Sequence, residues 1–217
     1  MEISVAESLS RARLYGILDL SYVEPLRVLE IAELMLEGGV EVLQLRAKRH
    51  GPEMILTVAQ KLAPLCRQKG VPFILNDYPE LVSASGADGV HVGQDDLSVA
   101  EARRRAGPAA LVGKSTHSFE QAVQASAEGA DYIGFGPLFA TPTKPDYIPI
   151  GMEDIARVHA AVSVPIFCIG GIKRENISRV TAAGARRLVI VSGILQADDV
   201  PAYCRDCLSL LPGDFAA

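Results

Sequence analysis

Four times along this chain a helix-like stretch closes on the same short signature. Small residues including a glycine lead to a charged residue, and an apolar run follows. The copies are Glu37-Gly-Gly-Val-Glu41, Ala84-Ser-Gly-Ala-Asp88, Ala127-Glu-Gly-Ala-Asp131 and Ala182-Ala-Gly-Ala-Arg186. Glycine at such a point supplies the left-handed residue on which a helix ends. A junction that recurs implies a recurring strand–helix unit, which leaves few architectures to consider.

The apolar runs number eight, at 14–18, 40–45, 71–75, 89–92, 110–113, 131–135, 164–169 and 188–191. They recur about every 25 residues, against roughly 30 for one unit of an ordinary eight-fold barrel. Each run is continuous rather than alternating, as expected of strands buried on both faces of a parallel sheet. Segments of helical period lie between them, at 26–37, 53–69, 119–128, 152–161 and 176–183. In the first of these Leu29, Ala32, Glu33 and Leu36 share one stripe, mostly apolar. Eight units without a long insertion favour a compact closed (β/α)8 barrel over an open doubly wound sheet. No G-x-G-x-x-G opens a helix after the first run, which disfavours a dinucleotide-binding domain. The length suits a single domain over 1–217, with a short extension at 1–13 and a frayed tail at 212–217.

Composition narrows the partners. The 21 Lys and Arg against 26 Asp and Glu leave a net charge of −5. That balance carries no electrostatic footprint for nucleic acid or an anionic membrane. No apolar run approaches the roughly 18 residues that span a bilayer, and the N-terminus lacks a secretory pattern, so a cytoplasmic location is expected. The partners expected are small molecules, with self-association into a homo-oligomer left open. Of the four cysteines, Cys204 and Cys207 read as neighbours on one face of a terminal helix rather than a redox pair, and Cys168 reads as core.

In a barrel the chemistry gathers where the strands end. The second run leads into Gln44-Leu-Arg46-Ala-Lys48, whose alternation turns Gln44, Arg46 and Lys48 the same way. Two cations at that spacing suit a phosphate or diphosphate. The third run ends in Asn76-Asp77 and the fourth in His91-Val-Gly-Gln94-Asp95-Asp96. The fifth leads to Ser115-Thr116-His117, and the sixth to Thr141-Pro-Thr143-Lys144. The seventh ends in Gly170-Gly171 and the eighth in Val191-Ser192-Gly193. Arg46, Lys48, Ser115, Thr141, Thr143 and Lys144 are candidates for anionic oxygens. Asp77 and Asp96 are candidates for one hard divalent cation, since Mg2+ commonly takes one or two carboxylates plus phosphate oxygens. The glycine and serine after the last two strands suit a second phosphate. Each string taken alone also has a plain reading as a turn, cap or loop; their order along successive strand ends is what carries the argument.

Together these strings resemble the thiamine-phosphate synthase family over residues 14 to 197. The resemblance implies a compact (β/α)8 enzyme that needs Mg2+. It would couple hydroxymethylpyrimidine diphosphate with a thiazole monophosphate, releasing pyrophosphate and thiamine monophosphate. It implies that Arg46, Lys48, Asn76, Ser115, Thr141, Thr143 and Lys144 hold the diphosphate, with Lys144, Ser115 and Arg46 the catalytic set. Asp77 and Asp96 would ligate the metal, Gln44 and His91 would line the pyrimidine side, and Gly171, Val191 and Ser192 would bind the thiazole phosphate. The loop 140–150 would form a lid. The chain departs from the family's usual Asn-Asp-Arg at Tyr78, so a cation is missing there. A thiazole tautomerase of the same superfamily, with His117 shuttling protons and no metal, is the alternative.

Overall fold

The computed structural model describes residues 3–141 and 148–213. Eight parallel strands close on themselves: β1 (Leu14–Asp19), β2 (Val42–Arg46), β3 (Phe73–Asn76), β4 (Gly89–Val92), β5 (Leu111–Thr116), β6 (Tyr132–Phe135), β7 (Ile166–Cys168) and β8 (Arg187–Ile190). Closure is made where Leu14 and Tyr15 of β1 stand against Leu188 and Val189 of β8. Every apolar run of the sequence has become a strand, with ends displaced by one or two residues in most cases.

The helices are α1 (Val5–Arg11), α2 (Val28–Glu37), α3 (Pro52–Lys69), α4 (Val82–Ser85), α5 (Val99–Ala106), α6 (Phe119–Ala127), α7 (Ile155–Ala161), α8 (Ile177–Ala182), α9 (Ser192–Leu195) and α10 (Val200–Ser209). The expected segment at 26–37 begins as a 3-10 turn over Pro25–Arg27 before α2. The short helix α5 has no counterpart among the expected segments. It buries Val99, Ala102 and Ala106 on one stripe, and its three arginines mask that period. No helix among the described residues is long and apolar enough to cross a membrane.

Two apolar layers flank the barrel wall. The inner one holds Tyr15, Ile17, Val42, Ile74, Leu111, Tyr132, Phe167 and Val189, with Leu9 and Ala12 from α1 and its end filling the bottom. The outer one joins the other strand residues to the helices and contains Cys66, Cys168, Cys204 and Cys207, all free thiols. Cys204 and Cys207 share a buried face of α10, as the sequence suggests.

The repeated junction has a structural reason. Gly39, Gly86, Gly129 and Gly184 all take positive φ, from 75° to 103°, where a side chain would be strained. The acid that follows seals the bottom of the barrel. Glu41 accepts the backbone N–H of Leu14 at 3.0 Å, Asp88 that of Phe73 at 2.8 Å, and Asp131 that of Val112 at 2.7 Å. Each is at the start of the preceding strand. The fourth copy carries an arginine and makes no such bond to a preceding strand among the contacts described.

Candidate active site

The strand ends open into a shared cavity. Gln44, Arg46, Asn76, His91, Ser115, Thr141, Gly171, Val191 and Ser192 all line it, as does His117. Lys48, Asp77 and Asp96 are not among its described lining residues. Strand pleating accounts for the convergence, because residues two apart face the same side. Thr143 and Lys144, with most of the loop 140–150, lie outside the described residues.

Arg46 is held before any ligand arrives. Its guanidinium pairs with the carboxylate of Asp19, the last residue of β1, which is wholly buried. The other Asp19 oxygen accepts from the Ser21 backbone N–H at 2.8 Å and the Ser21 hydroxyl at 2.7 Å. A buried charge must be paired in this way. Asp19 is a site residue that the sequence reading passed over, since it closes an apolar run.

The two candidate metal ligands behave differently. Asp77 adopts a left-handed backbone at φ 68°, and its N–H donates to the His91 carbonyl at 2.9 Å. Its carboxylate pairs with the Lys48 ammonium. Burial pushes the Asp77 carboxyl above the ordinary value, and Lys48 works against that shift. The neighbouring Asp96 carboxylate adds to the push. Asp96 folds back to accept the Gly93 N–H at 2.7 Å. Among the described residues no group of three or more His, Cys, Asp or Glu gathers as a metal cage. A cation held by these two carboxylates alone would have to complete its shell with ligand oxygens or water.

The cavity floor is aromatic. Tyr15, Tyr132 and Phe167 pack edge to face or tilted, with centroids 5.3 to 5.9 Å apart. His91 lies over Tyr132 at 5.5 Å and reaches the Ser115 hydroxyl with Nε2 at 2.9 Å. Gln44 donates to the Tyr15 hydroxyl at 2.7 Å. Neither tyrosine was legible as a site residue, because each reads as filler in an apolar strand. Tyr78, where the family carries a cation, packs against the outer apolar layer. His117 places Nδ1 against the Gly136 carbonyl.

A closed barrel with polar side chains gathered at its strand ends has the form of an enzyme that acts on small molecules. The thiamine monophosphate synthase family model matches residues 14–194, and the chain belongs to that family. It is similar to the thiamine-phosphate synthase of Shouchella clausii, with 40% identity over 200 residues, 92% of this chain and 96% of that protein. The thiamine-phosphate synthase of Gloeobacter violaceus is 44% identical over 172 residues, 79% of this chain but 50% of that longer protein. Among solved structures, the thiamine phosphate pyrophosphorylase of Pyrococcus furiosus superposes with a TM-score of 0.84 at 29% identity, covering 95% of this chain and 97% of that one. These relatives do not favour the tautomerase alternative.

Proposed function

We propose that this chain joins hydroxymethylpyrimidine diphosphate to a thiazole monophosphate, giving thiamine monophosphate and pyrophosphate. The observation that carries the reading is the meeting of Arg46, Asn76 and Ser115 in one cavity with Gly171 and Ser192. Two separate anion-binding ends share one reaction space, as two phosphorylated substrates require.

Arg46, Lys48, Asn76, Ser115 and Thr141 would hold the diphosphate, joined by Thr143 and Lys144. Gly171, Val191 and Ser192 would take the thiazole phosphate. Gln44 and His91 would face the pyrimidine ring, with Ile17, Ile169 and Val189 around it. The donor set fits Mg2+, which favours oxygen ligands and keeps positions for phosphate and water. Asp77 and Asp96 would hold it, and the Lys48 ammonium now paired with Asp77 would be freed for the diphosphate. Bound there, Mg2+ supplies charge neutralisation to the leaving group.

The chain's own part is positioning and electrostatics. The C–O bond to the diphosphate breaks, and its electron pair leaves on oxygen. Arg46 and Ser115, with Lys48 once released from Asp77, would face the oxygens on which that charge develops, and Arg46, already fixed by Asp19, needs no rearrangement as it forms. The aminopyrimidine ring bears the cation left behind. The apolar lining keeps water from it until the thiazole nitrogen donates its lone pair to close the new C–N bond. No side-chain nucleophile is required.

The test is a coupling assay with both substrates, with and without Mg2+. Product and pyrophosphate should appear only with the metal. Asp96→Ala should lower kcat by about 10²-fold or more with an unchanged circular dichroism spectrum. Absence of product with fresh substrates and Mg2+ overturns the activity, and near-normal turnover in Asp96→Ala overturns the ligand assignment.

A further inference from the structure

A line of side chains crosses the inside of the barrel from Gln44 to Ser115. Gln44 Nε2 donates to the Tyr15 hydroxyl at 2.7 Å. The Tyr15 and Tyr132 hydroxyls are 3.0 Å apart. The Tyr132 hydroxyl is 3.2 Å from His91 Nδ1, and His91 Nε2 is 2.9 Å from Ser115 Oγ. Five residues from five strands thus form one hydrogen-bonded chain.

Proton counting gives the chain a direction. The Gln44 amide nitrogen has only donors to offer. The Tyr15 hydroxyl therefore accepts there and gives its single proton to Tyr132. Tyr132 in turn gives its proton to His91 Nδ1. A ring nitrogen that accepts carries no proton, so neutral His91 is protonated at Nε2 and donates to Ser115 Oγ. Ser115, already accepting, directs its own proton away from His91. The reverse polarity fails at Tyr15, which is 1% exposed. If His91 donated to Tyr132 and Tyr132 to Tyr15, the Tyr15 proton would meet the Gln44 amide nitrogen, itself a donor, and would find no acceptor among the described residues, at a cost of about 1–3 kcal/mol. Burial holds both phenols protonated, since it raises their pKa values well above the ordinary range.

Room for this arrangement is built in. A Cβ on Gly113, beside Tyr132 on the adjacent strand, would lie 2.1 Å from the Tyr132 ring. The absence of a side chain at 113 lets the Tyr132 ring lie across the barrel toward Tyr15 and His91.

We propose that Tyr15 and Tyr132 are positioning residues that fix the proton of His91 on Nε2 and so present the Ser115 hydroxyl as a donor to the departing diphosphate. The inference rests on the reading of Ser115 as a diphosphate contact. Neither tyrosine takes part in bond making. Their effect passes through His91.

The decisive measurement is the tautomer of His91, read by long-range ¹H–¹⁵N correlation on histidine-labelled protein. Its signals are identified by their loss in His91→Asn. The wild type should show Nε2–H with Nδ1 unprotonated. Tyr132→Phe keeps the ring and removes the hydroxyl; His91 should then shift toward Nδ1–H or a mixture. In the coupling assay kcat should fall about tenfold with KM for the thiazole phosphate unchanged. Tyr15→Phe, which breaks the chain one link earlier, should move the tautomer in the same sense and serves if Tyr132→Phe does not fold. A wild-type His91 protonated at Nδ1, or an Nε2–H form that survives both substitutions, would overturn the inference. Because the spectra need no turnover, they decide it independently of the synthase reading. Wild-type kcat in Ser115→Ala would overturn the role of Ser115 itself.

Discussion

The Lys114 side chain is buried, yet among the described residues its ammonium pairs with no carboxylate. It donates to the carbonyls of Gly93 at 2.7 Å and Leu97 at 3.1 Å. Those two residues bracket Asp96, whose carboxylate is in turn held by the Gly93 N–H. Desolvation lowers the Lys114 pKa, with nearby Glu128, Asp96 and Asp95 opposing the shift. One side chain thereby sets the curvature of the loop that presents a proposed metal ligand. Lys114→Met keeps the stem and removes both donors. It should raise the Mg2+ concentration for half-maximal activity about tenfold, as loss of support around a ligand commonly does, while KM for the thiazole phosphate stays put. A magnesium titration of the two proteins checks this, and superimposable curves count against it. At this scale the sequence was readable in part. Gln44, Arg46, His91 and Ser115 stood out because a polar residue at alternate positions beyond an apolar run has few structural uses. Asp19, Tyr15 and Tyr132 did not, because their partners lie 27 to 117 residues away and meet only when the barrel closes.

At the scale of elements, the two ends of the strands do different work. The mouth carries Arg46, Asn76 and Ser115; the opposite end carries Glu41, Asp88 and Asp131, each accepting an N–H from the first or second residue of the preceding strand. Asp131 also pairs with Arg103 of α5 at 2.9 Å, tying a helix to the same point. Conserving strand starts is a matter of stability in such barrels, and strand ends a matter of chemistry. Asp131→Ala should therefore cost about 1–3 kcal/mol, the price of an unsatisfied buried N–H. That corresponds to a Tm lower by about 2–12 °C in thermal unfolding. The kcat of the folded variant should match the wild type at 25 °C, since nothing at the mouth is touched. A loss of activity without a loss of Tm would contradict the division. The strands and these junctions were legible because burial on both faces and helix termination each leave a local mark. Helix α5 was not, because a short helix with Arg103, Arg104 and Arg105 presents too few apolar positions for its period to show.

At the scale of the whole molecule, the net charge of −5 described the surface and concealed the mouth, where Arg46 and Lys48 stand against buried or half-buried acids. The closed barrel followed from a count of eight apolar runs and their spacing; the arrangement of charge did not, because a sum carries no positions. Acid stability is another property of the whole chain, and one residue on α7 gives it a defined slope. His159 Nε2 is buried with no hydrogen-bond partner among the described residues. Burial lowers the His159 pKa to about 4, and Arg186 and Arg187 add to the shift. Above about pH 6.5 the ring is neutral in both the folded and unfolded chain and favours neither. As pH falls from there toward 4, the unfolded chain takes up a proton that the folded protein refuses, so stability is lost across that window. The ceiling is about 3 kcal/mol, and about half of that for a ring that keeps some contact with solvent. Asp77 and Asp88 run the other way. Burial raises both carboxyl groups, so protonating them relieves a cost and adds stability as pH falls through their folded values. Their contribution is common to wild type and variant and cancels in the difference. His159→Leu should therefore flatten the fall of Tm between pH 7 and 4.5 by about 3–5 °C relative to the wild type. The quantity to read is the change in Tm across the pH series, which separates titration from repacking at a single pH. Parallel Tm curves for the two proteins would mean that the ring is protonated as readily in the fold as out of it.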